Sequence, residues 1–596
     1  MSRARRLAAS PDGRAVAALA LALGLLMALT WRKWGNPALD AGAELTTADR
    51  VAHGELPYAD VRYFYGPAGL YSLAFAFKVF GTSFTTAFAF GFAQTVAVLG
   101  AFYALARQWL RALPAGLATG VVMTIGFSGT AFNFMLPHTN SATFGLLFLL
   151  LELLALARRR PFLAGAALGL SCLTRPEFAV VGALAGAAWL FGTVVDGDRR
   201  AALRGIAPLA LPAVAIPAAV YGLFAAAAGF DRLVTENLWP VDFIRVAGFR
   251  SQEDWAPLDP ASFASSAGRA LVYCALLAAL VTTVVVWRRE RGAGRLRALL
   301  PSTGALALLA LVDGAARATG VFPDARHMVE TESRHLILGM TWLPVLGAAA
   351  AVWALYRLVR RGRPPFSGSW AADLALLVPA VILGLRAYDA FNGESSYAPY
   401  YAAPLVLILA LLHQSLAERW PAARPALLGA LGAVGVGLAA YSLGGLYSDD
   451  NTLVRTARGS YVSNDAAAPA VQRALDLVDA RTRPGEPILA LPSDGGFYFM
   501  ADRPPATYEL MFLPGLLDTT ADERAAVARL RRERVRYVVL SARDFSPYGF
   551  RTIGVDYNRY LISSLRQGSQ TVARFGDTHR PVAGSYPSNA FTVYRR

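Results

Sequence analysis

The chain has 596 residues, 55% of them hydrophobic and only 16% charged, where a soluble protein carries roughly 25% charged residues. Its net charge is +16 and nearly all of the basic side chains are Arg, an excess that basic loops between apolar spans explain without a nucleic-acid partner. The two cysteines, Cys172 and Cys274, sit far apart inside apolar runs, which excludes a disulfide framework and a Cys-rich metal site.

A membrane helix needs about 20 mostly apolar residues. In chain order, thirteen stretches qualify: 15–34, 84–106, 113–133, 141–157, 161–174, 177–193, 206–229, 267–287, 298–318, 335–356, 370–389, 398–415 and 424–446. With the N-terminus in the cytoplasm, alternate loops carry Arg107/Arg111, Arg158–Arg160, Arg199/Arg200/Arg204, Arg288–Arg297, Arg357–Arg363 and Arg419/Arg424, as the positive-inside rule requires. The alternation holds only if residues 161–193 cross twice, split at Pro176. It leaves the C-terminus outside. The first apolar run continues to Trp31 and Trp34 with no small-residue cleavage site behind it, and reads as an uncleaved helix.

The first outer loop, 36–83, holds two amphipathic stretches, 41–53 and 68–80, expected to lie as helices on the membrane surface. Gly54-Glu55-Leu56-Pro57-Tyr58-Ala59-Asp60 between them forms a turn. Further outer loops are 230–266, 319–334 and 386–398. After about 447, helix-period stretches (466–480, 521–533, 556–566) alternate with β-rich runs at 488–491, 536–540 and 591–594. The predicted organisation is therefore an all-α polytopic membrane domain, 1–447, followed by an extracytoplasmic α/β domain, 448–596. The latter contains no phosphate-binding glycine loop of either common type. The Ala- and Arg-heavy, Lys-poor usage points to a GC-rich bacterial genome, and the expected location is the bacterial inner membrane.

The stretch Asp40-Ala41-Gly42-Ala43-Glu44, continuing through Gly54-Glu55-Leu56-Pro57-Tyr58-Ala59-Asp60 to Tyr65-Gly66-Pro67, resembles the GT-C class of integral-membrane glycosyltransferases. The likeness is to the branch of the protein O-mannosyltransferases and lipid A aminoarabinose transferases. Two features depart from that pattern: Asp40 is followed by Ala41-Gly42 rather than by a second acidic residue, and Arg stands in place of Lys. The resemblance implies a sugar donor on a polyprenyl phosphate and a lipid, glycan or protein acceptor reached from the outer face. Chemistry points the same way, since a site open to the outside has no ready supply of nucleotide sugars. Displacement at an anomeric carbon then needs a base for the acceptor hydroxyl and cations for the departing phosphate.

On this reading Asp40 is the base; the plainer account is a helix-capping Asp. Glu44, one turn on, orients substrate, holds a divalent cation, or is a solvated surface residue. His53, Tyr58, Asp60, Arg62 and Tyr65 are candidate substrate contacts in a backbone restricted by Pro57 and Pro67. Their spacing matches no recognised metal-ligand pattern, so no metal centre is assigned, and a divalent cation stays a possible cofactor only through Glu44. Arg175, in an outward hairpin between apolar segments, either binds phosphate through its five-donor fork or pairs with Glu177. Arg334, His335 and Arg386 are further candidates for the phosphate, beside Tyr397, Tyr400 and Tyr401, which aromatic-belt anchoring explains equally. His138 and Asn140 read as helix caps. The rival function is a transporter or flippase for a lipid-linked sugar; no internal repeat supports it.

Overall fold

A computed structural model describes residues 10–128, 132–240, 260–290, 299–304, 342–391, 397–546, 549–583 and 586–596. Its helical part runs α1 (Pro11–Leu29), α2 (Asp40–Ala52), α3 (Pro67–Phe80), α4 (Phe84–Ala106), α5 (Ala112–Gly126), α6 (Asn140–Ala157) and α7 (Pro161–Ser171). It continues through α8 (Pro176–Val195), α9 (Arg199–Ala228), α10 (Pro260–Arg289), α11 (Trp342–Val359), α12 (Trp370–Phe391), α13 (Ala403–Arg419) and α14 (Arg424–Tyr441).

Among the described residues, 8 helices are long and apolar enough to cross a membrane: α1, α4, α6, α8, α9, Ser266–Arg289 of α10, α11, and Pro421–Gly445 around α14. They mark a multi-pass membrane protein. The expected count of thirteen is not confirmed among the described residues, for identifiable reasons. Helices α5 and α7 have 15 and 11 residues; at 1.5 Å per residue α7 reaches about 16 Å, half the hydrocarbon thickness. The break before Pro176 is present, but α7 is too short to supply a crossing alone, so charge parity does not settle sidedness. Helix α12 carries Asp373, Arg386 and Asp389. Of the expected spans 298–318 and 335–356, only 299–304 and the part from Trp342 onward are described. Helix α9 keeps Pro208, Pro212 and Pro217 in its interior, a pattern that membrane helices tolerate because neighbouring groups re-satisfy the freed carbonyls.

The first outer loop forms the two expected helices, α2 and α3, but α2 does not lie on a surface. Ten of its residues, from Ala41 through Val51, are buried, Glu44 and Arg50 included. The cover comes from the C-terminal region. That region comprises β1 (Asp450–Thr456), β2 (Gly459–Asn464), α15 (Ala468–Arg481), β3 (Ile488–Leu491), α16 (Gly496–Ala501), α17 (Thr520–Arg532) and β4 (Tyr537–Ser541). It ends with β5 (Arg543–Asp544), α18 (Arg559–Gln567), β6 (Gln570–Phe575), β7 (Val582–Ala583) and β8 (Phe591–Arg595). The main sheet has the order β3-β4-β8-β6, parallel between β3 and β4 and antiparallel elsewhere. Strand β3 is buried at all four residues, which is why it reads in sequence as an unbroken apolar run.

Helix α16 packs on α2, and the backbone ties are direct. Gly496 N–H donates to the Ala38 carbonyl at 3.0 Å and Arg62 N–H to the Tyr508 carbonyl at 3.0 Å. Thr46 Oγ1 donates to the Gly495 carbonyl at 2.8 Å. The C-terminal region has one apolar cluster of its own, around Leu489, Phe512, Leu530 and Leu561. It shares a second with α3 and the start of α4, through Phe497, Phe499, Phe77 and Phe84.

Candidate functional site

Asp40 is the first residue of α2 and its carboxylate therefore stands at the positive end of the helix dipole. The side chain keeps 36% of its exposure, and Oδ2 lies 3.4 Å from Nδ1 of His138. His138 comes from the segment leading into α6. Desolvation pushes the Asp40 carboxyl up, but the His138 imidazole and the Arg543 guanidinium outweigh it and hold the group below its ordinary value. The base candidate is thus kept ionised at the mouth of a concavity.

Glu44 lies one turn further into the protein and is only 5% exposed. Its Oε1 accepts from the Asn140 backbone N–H (3.1 Å), Asn140 Nδ2 (3.3 Å) and the Tyr63 hydroxyl (3.2 Å). Burial drives its carboxyl upward, and these donors offset part of the rise. Such a carboxylate staples the outer loop to the start of α6. Its Oε1 is thus taken up by N–H and O–H donors, a setting that does not suit a metal ligand. Among the described residues no group of three or more His, Cys, Asp or Glu is placed to hold a metal ion.

His138 also connects outward. The Tyr65 hydroxyl is 2.9 Å from its Nε2 and the Tyr397 hydroxyl 3.5 Å. The same two tyrosine rings face the Arg175 guanidinium, with centroids 5.4 and 5.0 Å from Cζ. Arg175 precedes Pro176 in the turn between α7 and α8; its Nε is 2.7 Å from Glu177 Oε1, and its side chain is 11% exposed. The Tyr401 hydroxyl donates to the same Glu177 oxygen at 2.7 Å. Arg175 Nη1 is buried and has no hydrogen-bond partner among the described residues. The expected pairing of Arg175 with Glu177 is thus present, and Nη1 is left over beside it among the described residues. Arg386 of α12 is near enough to act electrostatically on Tyr397 and Tyr401.

The concavity measures about 50 Å³ and is lined by Asp40, Glu44, Tyr63, Tyr65 and His138 on one side. Glu509, Leu510, Met511 and Leu516 of the C-terminal region form the other. Arg62 also lines it, but its Nη2 stands 3.5 Å from Glu509 Oε1 and 3.6 Å from Glu236 Oε2, so its charge is already answered. Tyr58 is fully buried; its hydroxyl donates to the Tyr65 carbonyl at 2.6 Å and fixes that backbone. His53 and Asp60 are not brought to the cavity. His53 follows the far end of α2 with its side chain 69% exposed, and exposed Asp60 accepts from the Leu56 N–H, closing the turn. Arg334 and His335 lie outside the described residues.

His138 and Asn140 differ from their expected role as caps. Thr139 is the N-cap of α6, its Oγ1 accepting from Ser141 N–H, which frees the His138 ring for Asp40 and the Asn140 amide for Glu44. Asp494 and Arg543, from the C-terminal region, were not singled out in the sequence at all. Asp494 is fully buried and Arg543 is 6% exposed. The one local hint was Ser493-Asp494-Gly495-Gly496, a turn-forming run directly after an apolar strand.

No protein-family model and no curated protein sequence matches the chain. Solved structures do. The chain is similar to the archaeal oligosaccharyltransferase AglB from Archaeoglobus fulgidus in complex with an inhibitory peptide and a dolichol-phosphate: 15% identity, 95% of this chain and 73% of that one, TM-score 0.48. The Archaeoglobus fulgidus oligosaccharyltransferase in complex with Zn and sulfate gives 16% identity, 88% and 68% coverage, TM-score 0.49. ArnT from Cupriavidus metallidurans bound to undecaprenyl phosphate gives 14% identity, 98% of both chains, TM-score 0.39. Both kinds of neighbour are GT-C membrane glycosyltransferases, the class that the first outer loop resembles.

Proposed function

We propose that this protein is a glycosyltransferase of the bacterial inner membrane. It transfers one sugar from a polyprenyl-phosphate donor to a hydroxyl-bearing lipid, glycan or protein acceptor on the outer face, with the C-terminal α/β domain outside. One observation carries the reading: an ionised carboxylate, Asp40, is linked through His138 and the hydroxyls of Tyr65 and Tyr397 to a buried guanidinium with a spare N–H. A base and, beyond the two shared tyrosines, an anion site are the two things that substitution at an anomeric carbon demands.

In the reaction Asp40 takes the proton of the acceptor hydroxyl as that oxygen bonds to the anomeric carbon. The bond from that carbon to the phosphate oxygen breaks on the opposite face, inverting the centre. Arg175 receives the charge that develops on the departing phosphate, with Arg386 adding to the positive field, and the proton then passes to solvent or phosphate. His138 keeps the Asp40 carboxylate oriented, while Glu44, Tyr58 and Tyr63 fix the loop that presents Tyr65. Arg62 orients the acceptor side of the cavity through Glu509.

The test is purified protein in liposomes, supplied with a polyprenyl-phosphate sugar and envelope acceptors, with products read by mass spectrometry. Asp40→Asn is expected to abolish a new glycosidic bond while leaving expression and melting temperature unchanged. Wild-type turnover in that variant would overturn the assignment. Movement of intact donor across the bilayer without any new bond would favour the flippase instead.

A further inference from the structure

A second cleft opens in the C-terminal region, where α17 ends, β4 begins and β8 ends. It measures about 890 Å³, within the roughly 300–1,000 Å³ that small-molecule sites occupy. It shares no lining residue with the concavity at Asp40. Its floor is well packed: Leu530 and Val535 are buried, and Leu530 belongs to the apolar cluster that holds Leu561 and Leu565. Glu523 Oε2 accepts from the Leu561 N–H at 2.7 Å and ties α17 to α18. Four guanidiniums line the cleft: Arg531 in the last turn of α17, Arg534 in the turn that follows, Arg536 just before β4, and Arg596 just after β8. The Arg596 N–H donates to the Arg536 carbonyl at 2.8 Å, which sets those two strand ends side by side. Ser563 and Gln567 of α18 complete the wall, and no lining side chain is acidic.

One of the four cations is already answered: Arg536 Nε and Nη2 each lie 2.6 Å from a Glu486 carboxylate oxygen. Arg531, Arg534 and Arg596 have no side-chain hydrogen bond or ion pair among the described residues. Compensation of the helix dipole accounts for Arg531 alone. Charges of one sign, gathered from separate elements into one cleft, repel each other, and they concentrate counter-ions there. We infer that this cleft is a binding site for a small phosphate-bearing ligand with at least two negative charges, of the pyrophosphate or sugar-phosphate kind. Each guanidinium offers a planar fork of parallel N–H donors. Several such forks suit a tetrahedral phosphate, which accepts from several directions, better than the single flat edge of a carboxylate. Ser563 and Gln567 supply neutral donors for the remaining oxygens. The concave shape admits a discrete molecule and excludes a flat sheet of lipid headgroups. The inference does not depend on the role given to Asp40.

The experiment is isothermal titration calorimetry of inorganic pyrophosphate into the full-length protein in detergent, at fixed ionic strength. One site per chain is expected. The double variant Arg531→Ala/Arg596→Ala should bind at least about tenfold more weakly, the scale of one lost hydrogen bond to a charged group. Arg574→Ala/Arg580→Ala removes two exposed arginines outside the cleft and should stay within about twofold of wild type. Should the cleft variant not fold, Ser563→Asp decides, because it sets a carboxylate at an exposed position of the cleft wall; it should cost at least the same tenfold. No binding to the wild type, or unchanged affinity in a folded cleft variant, overturns the inference. So does an equal loss in the outside pair, or citrate binding as tightly as pyrophosphate. Co-sedimentation with phosphatidylglycerol vesicles separates the sources: vesicle binding that the cleft variant loses, with no pyrophosphate bound, overturns the inference in favour of a membrane-facing surface.

Discussion

Gly42 and Gly496 meet backbone to backbone: a Cβ on Gly42 would lie 2.5 Å from the Gly496 Cα, and one on Gly496 would lie 2.8 Å from the Gly42 Cα. This contact seats α16 on α2 two residues from Asp40, so the C-terminal region and the candidate base share one rigid joint. Pro37 closes it further, its carbonyl oxygen 1.9 Å from the added Gly42 Cβ. Backbone cannot yield as a flexible side chain does. Gly42→Ala is expected to destabilise the protein by about 1–3 kcal/mol, as overpacking does. Gly100→Ala, with nothing within 4 Å of the new methyl, serves as the neutral control. Thermal unfolding in detergent, followed by tryptophan fluorescence, checks the pair.

His138 is expected to matter where His53 does not. Removing the imidazole deprives the Asp40 carboxylate of its partner at 3.4 Å. His138→Ala should lower kcat by about 10²-fold, the usual scale for a misplaced general base, and move the acid limb of the rate profile to higher pH. Tyr65→Phe should give a smaller loss of the same kind. His53→Ala, on the exposed far end of α2, should stay within about twofold of wild type. Initial rates from pH 4 to 8 across the set provide the comparison.

Arg175 is held between two tyrosine rings and bonded to Glu177, a geometry suited to a planar guanidinium. Arg175→Gln should raise the KM for a polyprenyl-phosphate donor at least about tenfold, the scale of one lost charge-assisted hydrogen bond. Arg175→Lys should recover little, because an ammonium cannot stack on Tyr65 and Tyr397 and reach both Glu177 and the phosphate. Full rescue by Lys would remove the planar-fork argument.

Asp450, in β1, tests electrostatics remote from the site. Burial pushes its carboxyl up to about 7, with Lys33 pulling it down and Asp449 pushing it up. The folded protein therefore binds this proton more tightly than the unfolded chain does, and stability is lost as pH rises from the ordinary carboxylate range through about 7. Asp450→Asn should raise the melting temperature at pH 8 and change it little at pH 5, where the aspartate is already protonated. An equal shift at both pH values would contradict the linkage.

Much of the frame was legible in the chain. Apolar spans, the α2 and α3 periodicity, and the alternating pattern after residue 447 are local signals, and the helices and strands follow them within a few residues. The number of crossings is not legible in the same way, because hydropathy does not distinguish a full span from an 11-residue helix such as α7. At the site, Asp40 stood out mainly through the family resemblance of the first outer loop, Glu44 and Tyr65 by their place in that loop, and Arg175 by its place in a turn between apolar segments. His138 did not: a histidine before a Thr–Asn pair looks like capping until Thr139 is seen to do that work. His53 and Asp60 looked equivalent to Tyr65 because all three share one loop, and only the folded path sends Tyr65 inward.

Taken alone, the amino-acid order determined what solvent each segment prefers and where the chain must turn, since both depend on neighbours within about one or two helical turns. Tertiary structure decided which polar side chains share a cavity. His138 lies 98 residues from Asp40 by the numbering, and Gly496, which packs on Gly42 two residues beyond Asp40, comes from the C-terminal region. The desolvation and fields that hold a carboxylate ionised exist only once those distant segments have packed around it, because they fall off over a few ångströms of space and are blind to distance along the sequence.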